Sequence, residues 1–234
     1  EFRRVLFRSL QLVVGGGAFN MTWNGGNAAW DYTASTWQKN GTGSNIAFYS
    51  GDNATISSGN TLTVDAGGVT AATVTANNAT GTATLAGGNL TASSLSKSGA
   101  GTLVVSNAVT AIAGVSQSAG TLTTAGNLTI SNTGVNISGG TANLNGNNTI
   151  ASGGLTVAGG AANLNGSNTI SAGGLNVSSG SLTVNSTNTI SGGLNVSGGT
   201  ATINSSSNSI TGGVNATGGV LVVNNNGGLG NNTI

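Results

Sequence analysis

Cysteine, proline and histidine are all missing from this 234-residue chain, and charge is confined to five basic and four acidic residues. Without cysteine there can be no disulfide staple and no thiolate metal centre. Without histidine the side chain that titrates nearest neutral pH is gone, and much general acid–base and metal chemistry goes with it. Forty-two glycines in the absence of proline, with no every-third-residue period, exclude a collagen-like helix. No run of about 18 apolar residues occurs, so no membrane-spanning helix is expected. Leu, Ile, Val and Phe together make up 52 residues, about 22% of the chain. That is just above the level associated with disorder, and the high net charge that accompanies disorder is lacking, so a folded chain with a thin core is implied.

The few charges are unevenly placed. Arg3, Arg4 and Arg8 fall in the opening segment from Glu1 to Ser9. These nine residues resemble one reading frame of a short-read sequencing adapter, and 1–9 is therefore set aside from fold reasoning as an artefact. The remainder carries Lys39 and Lys97 against Asp31, Asp52 and Asp65, two positive and three negative, for a net charge of −1. A basic patch for nucleic acid or anionic lipid has no support in that balance. Leu10 to Val14 is too short to be the core of a signal peptide, and the chain is expected to be a fragment at both ends.

What the sequence does hold is a repeat. Ile130, Ile150, Ile170, Ile190 and Ile210 recur at 20-residue intervals. After each comes a small or polar turn, then an alternating pair such as Leu155/Val157 or Leu175/Val177, then a second turn and a second pair such as Ala162/Leu164 or Leu182/Val184. A third short run, Asn-Thr-Ile or Asn-Ser-Ile, closes the unit. Period-2 alternation in runs this short predicts three strands per unit and leaves no room for a helix. The spacing slips once, between Leu175 and Leu194, where Ser-Ala-Gly-Gly shortens to Ser-Gly-Gly; an added serine near Ser205–Ser207 restores the phase. Length changes confined to turns are what a solenoid tolerates.

The expected fold is all-β: a right-handed parallel β-helix with three short strands per coil of about 20 residues. It should stack about nine coils at the strand spacing of roughly 4.8 Å. A single coil buries too few apolar side chains to offset the ordering of its backbone, so stability must come from stacking. The exposed end needs a cap. Residues 10–56 are assigned to it, because Trp23, Trp30, Trp37, Tyr32, Phe48 and Tyr49 concentrate there. Residues 57–234 are assigned to the repeats, truncated at the C-terminus. Asn148, Asn168, Asn188 and Asn208 share parity with the inward isoleucines, so stacked amides bonded from coil to coil are predicted. Thr156, Asn176, Asn195 and Asn215, with Asn145, Asn165, Asn185 and Asn204, should form outward rows.

The segment Leu95-Ser96-Lys97-Ser98-Gly99-Ala100-Gly101-Thr102-Leu103-Val104-Val105-Ser106-Asn107 resembles the autotransporter-associated β-strand repeat. The Trp-rich opening with Phe48 and Gly51-Asp52-Asn53-Ala54 is similar to the start of large bacterial surface proteins built from such repeats. The resemblance implies a secreted or cell-surface passenger, associated with the outer membrane and followed by a C-terminal translocator barrel. The chain departs from the pattern in holding only one complete Lys-x-Gly-x-Gly motif.

No enzyme is expected, and no catalytic, cofactor-binding or metal-binding residue is assigned. From Ser98 to Ile234, 137 residues contain no Asp, Glu, Lys, Arg, His or Cys. Asp31, Asp52 and Asp65 have no spacing that would pair them for glycoside hydrolysis and suit turns instead. Calcium-binding β-rolls place an Asp in every repeat, which is absent here. Three functional classes follow. A structural, adhesin-like surface rod with weak multivalent contact to surface polysaccharide or host and matrix glycans leads. A carbohydrate-active β-helix enzyme, with its site near or beyond the cap, is second. An ice-binding solenoid, suggested by Thr61/Thr63, Thr73/Thr75, Thr82/Thr84 and Thr121/Thr123, is third, because those pairs are irregularly spaced along the chain and the regular coils present mixtures such as Asn143/Asn145, Asn163/Asn165 and Thr183/Asn185 where ice calls for a uniform flat array.

Overall fold

The computed structural model describes residues 17–232; the adapter-like segment, the start of the cap assignment at residue 10 and the last two residues lie outside them. Every regular element among the described residues is a strand, and the strands fall into two sheets of 17 and 10. Beyond the cap the pairing is parallel throughout, each strand bonding to the one a coil earlier and a coil later. The chain is a β-solenoid. Three faces carry it, exemplified in one coil by Thr149–Ile150 (face one), Leu155–Val157 (face two) and Ala161–Leu164 (face three). The nine rungs of face three from Thr61–Val64 to Val220–Val223 enclose eight full turns.

The three-strand coil holds from Leu128 onward. Earlier, faces one and two are crossed by one long strand: Val69–Ala76, Leu90–Lys97 and Val109–Gln117. The reason is the length of the corner. Two residues separate the inward Ala71 from Val74 and Ala92 from Leu95, three separate Ala111 from Val115, and four separate Ile130 from Val135. A two-residue corner only breaks the in–out alternation, whereas four residues with a left-handed Gly134 turn the chain sharply enough to end the strand. At the slip between Leu175 and Leu194 the corner before face two loses one of its two left-handed glycines. Gly173 and Gly174 precede Leu175, but only Gly193 precedes Leu194, and the pairing Leu175 to Leu194 stays in register.

Inward columns run the length of the rod. Ile130, Ile150, Ile170, Ile190 and Ile210 form one, and Leu155, Leu175 and Leu194, continued by the half-buried Val214, another, as the repeat predicts. A neighbouring column changes chemistry half-way: Val69, Leu90, Val109 and Leu128 give way to Asn148, Asn168, Asn188 and Asn208. These four amides form the predicted ladder. Asn148 Nδ2 donates to Asn168 Oδ1 at 2.7 Å, Asn168 to Asn188 at 2.8 Å, and Asn188 to Asn208 at 3.3 Å. The second N–H of Asn148 and of Asn168 reaches the carbonyl of Gly146 and Gly166, two residues back. Leu128, Asn168 and Asn188 donate their backbone N–H groups to the Oδ1 atom in the next coil. Amides paired on both sides can be buried without an uncompensated desolvation cost.

At the cap, Trp23, Trp30, Trp37 and Phe48 are buried against one another, with ring centroids 4.9–5.2 Å apart, two of the four contacts edge-on and two tilted. Antiparallel pairing of Trp37–Lys39 with Asn20–Trp23 and with Asn45–Ile46 terminates the larger sheet, so no open parallel edge is presented there. Tyr32 and Tyr49 do not join the cluster and are exposed. The Tyr32 hydroxyl instead accepts from the Thr70 N–H at 2.7 Å.

Candidate functional site

The five charged side chains outside the adapter-like segment do not converge. Asp31 accepts from the backbone N–H groups of Thr33 and Ala34, and these bonds hold its carboxyl below the usual carboxylate range. Asp65 accepts from Gly67 N in a turn. Asp52 is buried and accepts from Phe19 N with one oxygen and Tyr49 N with the other, tying the first strand to the loop before its own. Both oxygens are thereby committed to backbone. It lines a depression of about 650 Å³ with Phe19, Tyr49 and neighbouring glycines. Lys39 lies over the Phe19 ring, 3.6 Å from its centre. Among the described residues no three His, Cys, Asp or Glu side chains gather, and no helix is long and apolar enough to cross a membrane.

Lys97 is the surprise, since a lone lysine on a strand is expected outside. It occupies an inward column between Ala76 and Gln117 and is fully buried, its Nζ donating to the Gly99 carbonyl. Burial lowers its pKa. One coil on, Gln117 does similar work without charge, donating to Gly120 O at 3.0 Å and Thr141 O at 2.8 Å; Asn78 likewise serves Gly81 O and Thr102 O. The glycines of the Lys-x-Gly-x-Gly motif fit this packing. A Cβ on Gly99 would come 2.2 Å from Asn78 O, and one on Gly101 would come 2.4 Å from Asn78 Nδ2. The motif is therefore a corner built around an inward nitrogen donor.

With the charges absorbed into turns and core, the outward faces remain. Asn145, Asn165, Asn185 and Asn204 form the expected row, extended by Asn224, but the amides bond to one another: each Nδ2 reaches the Oδ1 one coil earlier at 2.6–2.8 Å. Much of that row's hydrogen-bonding capacity is thus used internally. The face-two row of Thr156, Asn176, Asn195 and Asn215 is in register. The sequence reading missed a third row. On face one, Thr70, Thr91, Thr110, Thr129, Thr149, Thr169, Thr189 and Ser209 stack on eight successive coils. Its signal was the hydroxyl residue before each inward alanine (Ala71, Ala92, Ala111) or isoleucine. On face three, Thr82/Thr84 and Thr121/Thr123, irregular along the chain, come into register because unequal corners absorb the spacing, whereas Thr61/Thr63 is offset by two residues, with Thr61 beside Thr84 and Thr63 beside Ala86. Thr73/Thr75 lies in the other sheet. Comparison with protein-family models, with curated proteins and with solved structures finds no match.

Proposed function

We propose that this chain is part of an extracellular rod, a surface or secreted passenger of the autotransporter kind, whose task is mechanical: to extend and present. The observation that supports it is the stacking of eight turns in register on one continuous core, with its ionisable groups spent on turns and packing. Such a solenoid resists extension through many parallel backbone hydrogen bonds and needs no ligand to fold. Contact with surface or host glycans is then weak per rung and gains from multiplicity, through the hydroxyls of face one and the hydroxyl and amide groups of face two. Because no charged residue follows Lys97 in the chain and Lys97 itself is buried, such contact should be insensitive to salt.

The test is accessibility on the producing cell. Antibodies raised against the purified rod should label intact cells as strongly as permeabilised ones, and added protease should remove the label. Labelling only after permeabilisation would contradict the proposal.

A further inference from the structure

We propose that the outward side of face three is a surface matched to crystalline water, and that this chain binds ice. The proposal goes beyond the rod and does not depend on where the rod is displayed. Three rungs carry complete threonine pairs at positions i and i+2: Thr82/Thr84, Thr121/Thr123 and Thr200/Thr202. Over the seven rungs from Thr82–Gly87 to Thr200–Ile203, hydroxyl side chains occupy ten of the fourteen outward positions in these two columns, and the pairing is parallel with no shift of register. The gaps are Val104, Asn143, Ala161 and Asn163.

Four properties of this array select an occupant. Its two repeats, about 4.8 Å between rungs and about 6.6 Å between i and i+2 on a strand, are set by strand geometry. The rung repeat lies close to the oxygen repeat along one axis of a prism face of hexagonal ice, and the i to i+2 repeat is about a tenth shorter than the repeat along the other. Second, threonine is stiff at χ1, so its methyl and hydroxyl groups are held as a fixed pattern. Third, the hydroxyls are available. Threonine hydroxyls that bond internally lie elsewhere, Thr73 to Asn53 and Thr133 to Ala113 O, whereas those of the face-three pairs have no partner among the described residues.

The fourth property is neutrality. No charged residue occurs after Lys97, which suits an uncharged lattice and gives no grip on phosphate or sulfate. Aromatic residues end at Tyr49, so the stacking platform that a crystalline polysaccharide would use is also missing from this face. Face one, with its single threonine column, repeats in one direction only. Face three repeats in two, which is what a crystal plane requires.

The experiment uses the full chain in a nanolitre ice-growth cell, reading thermal hysteresis and crystal shape. Wild type should facet ice crystals and hold a hysteresis gap. Thr121→Tyr and Thr200→Tyr, which place bulk outward on face three, should abolish both, whereas Thr149→Tyr on face one should retain them. Completing the array with Val104→Thr, Asn143→Thr, Ala161→Thr and Asn163→Thr together should widen the gap, an outcome that damage to the fold cannot imitate. Circular dichroism checks that each variant is folded. Round, unshaped crystals with wild type, equal loss in the face-one variant, or no gain in the completed array would each overturn the proposal. Retention on crystalline cellulose or chitin without any effect on ice would also overturn it and assign the face to a polysaccharide. None of these outcomes bears on the rod, which the surface-labelling experiment tests separately.

Discussion

Replacing Asn168 by alanine probes the buried amide ladder at its centre. The wild-type side chain donates to Gly166 O at 2.7 Å and to Asn188 Oδ1 at 2.8 Å, and accepts from Asn148 Nδ2 at 2.7 Å. Alanine removes all three bonds. Asn188 Oδ1 keeps the Asn168 backbone N–H and Asn148 Nδ2 keeps Gly146 O, so neither is fully orphaned. Gly166 O loses its side-chain donor in a buried corner. One orphaned buried acceptor costs about 1–3 kcal/mol, and each remaining lost bond about 0.5–1.5 kcal/mol. The sum is about 2–6 kcal/mol before any cavity cost. Leucine, the residue that holds this column at Leu90 and Leu128, should cost less than alanine, because burying its side chain returns about 1.5–3 kcal/mol. Since a solenoid can open coil by coil, the assay is hydrogen exchange resolved by peptide. Amides of residues 145–190 should lose protection by a factor of at least roughly 30, on the scale of 1.4 kcal/mol per tenfold, while those of the cap are unchanged. Equal protection in wild type and Asn168→Ala would refute the ladder as a stabilising element.

Other perturbations address different parts of the rod. Ile170→Asp puts an unpaired carboxylate into a fully buried column and should cost several kcal/mol; an unaltered melting curve would contradict the inward assignment. Gly160→Ala forces a side chain onto φ = +64° with its Cβ only 2.3 Å from Gly140 O, and should lower the melting temperature by several degrees. For Lys97 the sign follows from desolvation, which disfavours the charged form in the fold and lowers its pKa below the ordinary value. The unfolded chain then binds the proton more tightly, so stability is least below the lowered pKa and rises with pH up to the unfolded value of about 10.4. Lys97→Gln, copying Gln117, should flatten that rise; a melting temperature that falls between neutral pH and pH of about 10 in wild type would contradict it.

Much of the fold is legible because a solenoid writes its register into the sequence. Ile130 to Ile210 mark one inward column, and the paired glycines mark corners. The in-facing asparagines could be placed by parity with Ile150, Ile170 and their equivalents, and the amide ladder followed from the need to satisfy them. Less legible were features set by neighbours in space. Nothing local tells whether two or four residues at a corner end a strand, so the fusion of faces one and two before Leu128 was not foreseen. The burial of Lys97 could not be read locally, since it depends on a carbonyl contributed by a glycine corner. The outward asparagine row was placed correctly, yet its self-pairing shows only when successive coils are superposed. The same holds for Thr82/Thr84 and Thr121/Thr123 on face three, whose irregular spacing along the chain is an effect of corner length.

Disulfide trapping tests the parallel, in-register solenoid most directly, because the chain has no cysteine of its own. Thr149 and Thr169 are exposed partners on adjacent rungs. Their Cα atoms should be about 4.8 Å apart, within the span a disulfide bridges. Thr149 and Thr189 are two rungs apart, at roughly twice that distance and beyond reach. Thr149→Cys with Thr169→Cys should therefore close an intramolecular disulfide under mild oxidation in the folded state, and Thr149→Cys with Thr189→Cys should remain reduced. Trapping of the second pair as readily as the first, or of neither, would contradict the coil register on which the whole account stands.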